Sequence, residues 1–241
     1  MTEPVRRPAF EIAASACGAV RATLAGEMAK FRPAGTLWLE ASRTLMAADL
    51  HLEKGSAYAA RGQMLPPYDT AETLARLARE VEALNPARIV LLGDSFHDGG
   101  GEGRLCAADT DQLIALALGR TLVWIVGNHD ADGPRFLPGD VVGELEVGRL
   151  VLRHEPMSGP RAEAAGHLHP SAKVAARGRT VRRRCFVTDG ERVVLPAFGA
   201  YAGGLNVRDT AFAGLFAGWP IAVTLGPQRS HAIAWSMLVS D

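Results

Sequence analysis

Six of the seven histidines in this 241-residue chain, His51, His97, His129, His154, His167 and His169, stand at or just beyond the ends of apolar runs, all but His154 accompanied by Asp, Asn or Gly. Only His231 stands apart. Asp49 precedes His51 in "LMAADLHLEKGS", Asp94 precedes His97 in "LLGDSFHDGG", and Asn128 precedes His129 in "VGNHD". A single histidine of this kind is most often an ordinary core or surface residue, but six arranged alike make that reading improbable. Imidazoles, carboxylates and an amide oxygen, with no thiolate among them, form a donor set that suits manganese, iron or zinc better than calcium.

Such a set needs a framework that brings distant segments together. "TLWLE" and "TLMAAD" read as strands, the second apolar almost throughout, as in a sheet covered on both faces. The segment between His51 and Asp69 carries Gly55, Gly62 and the pair Pro66-Pro67, which predicts a loop with at most a short helix. Asp69 and Glu72 resemble a capping box, and Leu74, Leu77, Ala78, Val81 and Leu84 recur at helical spacing until Asn85-Pro86. "ARIVLLGD" is a second buried strand, "DTDQLIALALG" a second helix closed by Gly119, and "TLVWIVGNHD" a third strand. From Val141 the pattern changes to short strands punctuated by glycine, with the tight-turn signal Asp-Gly inside "TDGE". The chain is therefore α/β, and its strand-rich second half can stack a second sheet on the first. With no internal repeat, low-complexity tract or linker, one domain over 1–241 is expected.

Open sheets bind ligands beyond the carboxyl ends of their strands, where five of these histidine-bearing segments would meet. On a strand, residues i and i+2 project to the same side, so Asp49 and His51 can reach one ion. Gly93, Gly127 and Gly166, just before Asp94, Asn128 and His167, permit turns where a side chain would crowd the site.

Composition narrows the partners. The 26 basic and 26 acidic residues balance, so nothing draws the whole chain to nucleic acid or an anionic membrane, and any such affinity must be local. Cys17, Cys106 and Cys185 are too few and too scattered for a disulfide framework or a thiolate zinc site, which fits a reducing cytoplasm. The start, interrupted by Pro4 and Pro8, is unlike a signal peptide, and no stretch is apolar enough to suggest a membrane span.

Taken in order, "DLH", "GDSFHD", "GNHD", "LRHEP" and "GHLHP" resemble the motif series of the calcineurin-like metallophosphoesterases: DxH, GDxxD or a variant, GNH(D/E), a lone His, and GHxH. The joint occurrence from Asp49 to His169 is highly specific, although no single block would be. The segments "DLHLEKGSAYAARGQMLPPYDT" and "LLGDSFHDGG" further resemble the ligase-associated DNA damage response endonucleases, the PdeM-like subfamily. The resemblance implies two stacked mixed β-sheets flanked by helices, a four-layer αββα sandwich. It also implies two divalent transition-metal ions, manganese first, with iron or zinc as alternatives. One would be held by Asp49, His51 and His169, the other by Asn128, His154 and His167, with Asp94 bridging them. His129 would stabilise or protonate the leaving oxygen, and Asp130 would orient it. Two ions about 3.5–4 Å apart activate a shared hydroxide for in-line attack on phosphorus and neutralise the phosphoryl oxygens. The second block departs from the pattern, ending in His97 with Asp98 next; these are candidates for the supporting shell or for contact with a phosphate.

Substrate is less legible. The Asp-Arg-Gly usual in serine/threonine protein phosphatases is missing from "GDSFHDGGG". Arg177, Arg179, Arg182, Arg183 and Arg184 concentrate on one predicted hairpin, either a track for backbone phosphates or a solvated edge kept from aggregating by its charge. Three functions follow: a phosphodiesterase acting on DNA, as an endonuclease in repair beside an ATP-dependent ligase and a helicase; a hydrolase of small nucleotides or other phosphoesters; and a non-catalytic metal-dependent scaffold. The complete ligand set and His129 speak against the last.

Overall fold

The computed structural model describes residues 10–159, 161–176 and 178–241. Two mixed sheets face each other. In the first, β1 (Ile12–Ala14), β2 (Val20–Leu24), β3 (Glu27–Phe31), β4 (Leu37–Leu39) and β5 (Thr44–Ala48) form an antiparallel run. From β5 onward the pairing becomes parallel through β6 (Arg88–Leu92), β7 (Thr121–Ile125) and β8 (Asp140–Val142). The helices are α1 (Lys54–Ala59) and α2 (Asp69–Leu84), between β5 and β6, and α3 (Ala107–Ala117), between β6 and β7. The three parallel central strands match the apolar runs of the sequence, and residues 44–48 are buried on both faces.

The second sheet contains β9 (Glu144–Val147), β10 (Leu150–Arg153), β11 (Glu163–Ala165), β12 (Pro170–Ala176), β13 (Arg179–Thr188), β14 (Arg192–Val194), β15 (Leu205–Asn206), β16 (Ile221–Leu225) and β17 (Ser230–Ala234). Its order is β15-β12-β13-β14-β11-β10-β9, with β16 beside β13 and β17 beside β16. The Asp-Gly turn forms between β13 and β14: Gly190 adopts φ 93°, and the Asp189 carboxylate accepts from the N–H groups of Glu191 and Arg192.

Apolar alternation decides the layers. Met46, Ala48, Val90, Leu92, Val123 and Ile125 face Leu150, Leu152, Phe186, Val193, Leu195 and Val223 between the sheets. The opposite sides of the same strands, Leu45, Ala47, Ile89, Leu91, Leu122 and Trp124, pack on Leu74, Leu77 and Val81 of α2 and Leu113 and Leu116 of α3. The outer face of the second sheet is covered by irregular chain and short 3-10 turns at Thr210–Phe212 and Trp235–Met237, through Phe212, Leu215 and Leu238. The sandwich architecture is thus the expected one, with its fourth layer built mostly from loops. Among the described residues, no helix is long and apolar enough to cross a membrane.

Two local expectations change. Asp69 and Glu72 make no capping box: the N-cap is Tyr68, without a side-chain bond, and the Asp69 carboxylate instead accepts from the Gly55 N–H at the start of α1, at 3.0 Å. Tertiary packing has redirected a capping carboxylate from its own helix to a neighbouring one. Strands β1 to β3 lie in a segment that periodicity left unassigned, because alternating Ala, Arg and Lys produce only a faint period-two signal.

Candidate metal centre and active site

Five strands lead directly into candidate ligands. Asp49 and His51 follow β5, Asp94 and His97 follow β6, and Asn128 and His129 follow β7; from the second sheet, His154 follows β10 while His167 and His169 follow β11. The first two loops continue to pair after their strands end. The N–H groups of Asp49, His51 and Leu52 donate to the carbonyls of Gly93, Asp94 and Ser95, and the His97 N–H donates to the Leu52 carbonyl.

Asp49 and His51 reach the site by a different geometry from strand alternation. Strand β5 stops at Ala48, and Asp49, His51 and Glu53 all adopt left-handed backbone, with φ of 54°, 45° and 62°. Asp94, His167 and His169 do so as well, at 45°, 67° and 45°. Each such residue costs on the order of 1–3 kcal/mol, about what burying one large core side chain returns. Buried Leu50 and Leu52 alternate with the polar residues and anchor the loop in the helix-side core.

The polar atoms converge. Potential ligand atoms of Asp49, His51 and His169 lie within 4.8 Å of one another, as do those of Asp94, His154 and His167 and those of His51, His97 and His129. His154 donates its Nδ1 proton to the Leu92 carbonyl at 3.2 Å, which leaves a lone pair on Nε2. That nitrogen sits 3.0 Å from Asn128 Oδ1, 3.4 Å from Asp94 Oδ1 and 3.2 Å from His167 Nδ1. On the other flank, His51 Nε2 and His169 Nε2 are 3.2 Å apart, His169 Nε2 is 3.5 Å from Asp49 Oδ1, and Asp94 Oδ2 is 4.0 Å from His51 Nε2. The two carboxylates of Asp49 and Asp94 are almost wholly buried. Burial, followed by the neighbouring imidazoles His169, His129 and His97, pushes the His51 pKa down to about 2, so the ring is neutral. Crowded acceptors with their lone pairs turned on one another are what a divalent cation would satisfy, and the buried, unpartnered His51 Nδ1 adds to the mismatch. The residues present therefore fit metal ions.

Glycines permit the close approach. A Cβ on Gly93 would lie 2.2 Å from His154 Nδ1, one on Gly127 2.2 Å from Asp94 Oδ1, and one on Gly166 2.6 Å from Asp49 Oδ2.

His129 stands at the edge, its side chain 41% exposed. Its N–H donates to Asp94 Oδ1 at 2.9 Å, and its Nδ1 donates to the His97 carbonyl at 2.8 Å, leaving Nε2 facing inward, 3.9 Å from Asp94 Oδ2. Asp130 is placed differently from its expected role. Its carboxylate accepts from the N–H groups of Ser95, Phe96 and Gly127, so it clamps two loops while the His97 carbonyl orients His129. The His97 ring stacks beside His129 and against Tyr58, and burial lowers its pKa. Asp98 turns away from the cluster to pair with Arg104 at 2.7 Å.

The arginine hairpin exists, with β12 paired antiparallel to the exposed first half of β13, but its side chains divide. Arg177 lies outside the described residues. Arg182 is tied to Ser171, Gly204 and the Asp241 carboxylate, and Arg184 donates to the carbonyls of Ala197, Gly199, Ala200 and Ala202. These two are structural staples, a correction to the reading of the whole run as a phosphate track. Arg179 and Arg183 are exposed.

Sequence reasoning missed the loop over residues 197–202, whose Gly199 N–H donates to the Asp49 carbonyl at 3.1 Å, and the Leu92 and His97 carbonyls, which set imidazole tautomers. Backbone acceptors leave no residue-type signal. Lys54, which donates to the Tyr201 carbonyl at 3.0 Å, was legible as a charge three residues beyond His51.

The comparisons with known proteins agree with this geometry. The family model for calcineurin-like phosphoesterases matches residues 42–175, more than half the chain, and the chain belongs to that family. It is a metal-dependent phosphoester hydrolase. The crystal structure of Pseudomonas putida nuclease MPE is similar, with a TM-score of 0.68 and 27% identity over 92% of this chain and 100% of that one. Yfce, a phosphoesterase from E. coli, is 15% identical and gives a TM-score of 0.40 over 79% of this chain and 98% of that one, too distant to carry an argument. No curated protein matches the chain.

Proposed function

We propose that this hydrolase is a two-metal phosphodiesterase that cuts DNA as an endonuclease. One observation carries the two-metal reading: Asp94 lies between the two flanks of the site, one oxygen 3.4 Å from His154 Nε2 and the other 4.0 Å from His51 Nε2. Asp49, His51 and His169 would hold one ion, and Asn128, His154 and His167 the other, with Asp94 bridging. Bound there, a pair of divalent ions, manganese first and iron or zinc as alternatives, supplies water activation and charge neutralisation at the phosphoryl group. The chain's own residues do the rest. Asp49 and Asp94 supply negative charge, His154 presents the Nε2 that its Leu92 bond leaves free, and His129 directs Nε2 toward the space where a leaving oxygen would stand. A proton held at that nitrogen would pass to the departing alkoxide.

DNA as the substrate is supported by the similarity to a protein described as a nuclease. A place in repair beside an ATP-dependent ligase and a helicase rests on the motif resemblance, and a cytoplasmic location on the three free cysteines. Parallel turnover assays with manganese on a diester, a monoester and plasmid DNA test the reading. Cleavage of the diester and nicking of the plasmid are expected. Hydrolysis of the monoester alone would redirect it to small phosphoesters.

A further inference from the structure

A cleft of about 610 Å³ opens between the β3–β4 turn, α2, β13 and the β16–β17 turn, and five arginines line it, Arg32, Arg76, Arg79, Arg183 and Arg184, against a single carboxylate, Glu80. That carboxylate is already committed. It accepts two hydrogen bonds from Arg32, at 2.7 and 2.9 Å, and one from the Thr36 hydroxyl at 2.7 Å. The other four guanidinium groups form no ion pair among the described residues.

Two of them are held rigidly by neutral groups. Arg184 is fixed by four backbone carbonyls, and Arg76 donates to the Phe198 carbonyl while its guanidinium lies 4.5 Å over the Phe198 ring. The Arg76 Nε is buried without a partner. Burial lowers the pKa of both, and for Arg76 the next cause is Arg184 itself, so two mutually repelling cations are kept half-buried side by side. Stapling the 197–202 loop accounts for Arg76 and Arg184. It does not account for Arg79 and Arg183, which are exposed at the mouth; Arg183 makes only a 3.4 Å bond to the Arg182 carbonyl. The exposed forks of Arg79 and Arg183 are free to take a planar, bidentate anion such as phosphate, and behind them stands the fixed positive charge of Arg76 and Arg184, which no ion pair among the described residues neutralises and on which, of the carboxylates, only Glu72 acts from a distance.

We propose that this cleft is a second phosphate-binding site, distinct from the histidine cluster, in which Arg79 and Arg183 at the mouth supply the hydrogen bonds and the stapled Arg76 and Arg184 supply only fixed positive charge behind them. The phosphate can come from a polynucleotide backbone or from a free phosphate compound. The first source rests on the nuclease reading, whereas the anion site itself does not. The loop joins the two places, since Gly199 bonds both Arg184, through its carbonyl, and Asp49, through its N–H.

The test is the double variant Arg79→Ser/Arg183→Ser in the full chain, with Arg79→Gln/Arg183→Gln in reserve should the melting temperature of the first fall. Binding of a fluorescent DNA duplex is followed by anisotropy across a salt series, and binding of inorganic pyrophosphate by calorimetry. Weaker duplex binding, with a log–log salt slope shallower by about 0.9 per lost contact, supports the backbone source. Unchanged duplex binding with at least tenfold weaker pyrophosphate binding supports the free compound. If neither changes in a variant that melts normally, the proposal is overturned. A parent protein that passes these tests yet hydrolyses no diester would sink the nuclease reading and leave the second site standing.

Discussion

His51 Nε2 and His169 Nε2 lie 3.2 Å apart although 118 positions of chain separate the two residues. His51 is buried and His169 half-buried beside Asp49, and at most one proton can sit between them. With His51 held neutral by burial, two imidazole nitrogens brought this close beside the Asp49 carboxylate are in the arrangement expected of two ligands to one cation.

Asp94 is the predicted keystone for metal content. Asp94→Ala should remove both ions, because the residue faces both flanks and also accepts the His129 N–H. Gly127→Ala should mimic it, since the added Cβ would meet Asp94 Oδ1 at 2.2 Å. Elemental analysis of the purified variants checks this; full occupancy in Asp94→Ala would refute the bridging assignment. Chelation of the unaltered protein should abolish diester hydrolysis.

His129 should separate chemistry from metal binding. His129→Ala is expected to keep its metals and melting temperature while diester turnover falls roughly 10²–10⁴-fold, the usual range for losing a general acid. The defect should shrink for a nitrophenolate leaving group, which departs without a proton. Equal defects on both kinds of substrate would argue against proton donation.

The metal-stripped protein should lose stability on the acid side. The His51 pKa is about 2 in the folded chain against a reference of 6.5, so its contribution is present above pH 6.5 and is lost as pH falls, while the unfolded chain takes up a proton that the folded one refuses. The slope from this one group is at most about 1.4 kcal/mol per pH unit. Urea titrations of chelator-treated protein between pH 7.5 and 5 measure it, and His51→Asn should flatten the curve. Superimposable slopes for variant and parent would show that His51 titrates normally.

Neighbouring arginines should behave oppositely. Arg184→Ala strips four carbonyls of their donor and should cost roughly 2–4 kcal/mol. Arg183→Ala, on an exposed side chain with one long hydrogen bond, should stay within about 0.5 kcal/mol. Denaturant midpoints compare the two directly.

Residue types and their periodicity were enough to read the parallel core and to nominate the candidate ligands. Continuous apolar runs at 44–48, 88–92 and 121–125 have no face to spare for water, so they must lie in a covered sheet, and the polar residues just beyond them must gather at its carboxyl edge. That logic reaches Asp49, His51, Asp94, His97, Asn128 and His129, whereas His154, His167 and His169, which follow short strands of the second sheet, are singled out by residue type and by their place at strand ends. How these residues are held could not be read in the same way. The left-handed backbone at Asp49 and His51, the Leu92 carbonyl on His154, the His97 carbonyl on His129 and the Asp130 clamp on Ser95 and Phe96 all depend on backbone atoms from other segments. Backbone groups are identical at every residue, so no pattern of side chains announces them. The same holds for the arginines: Arg182, Arg183 and Arg184 are indistinguishable as letters, and only the placement of Asp241 and the 197–202 loop makes two of them staples and leaves the third facing solvent.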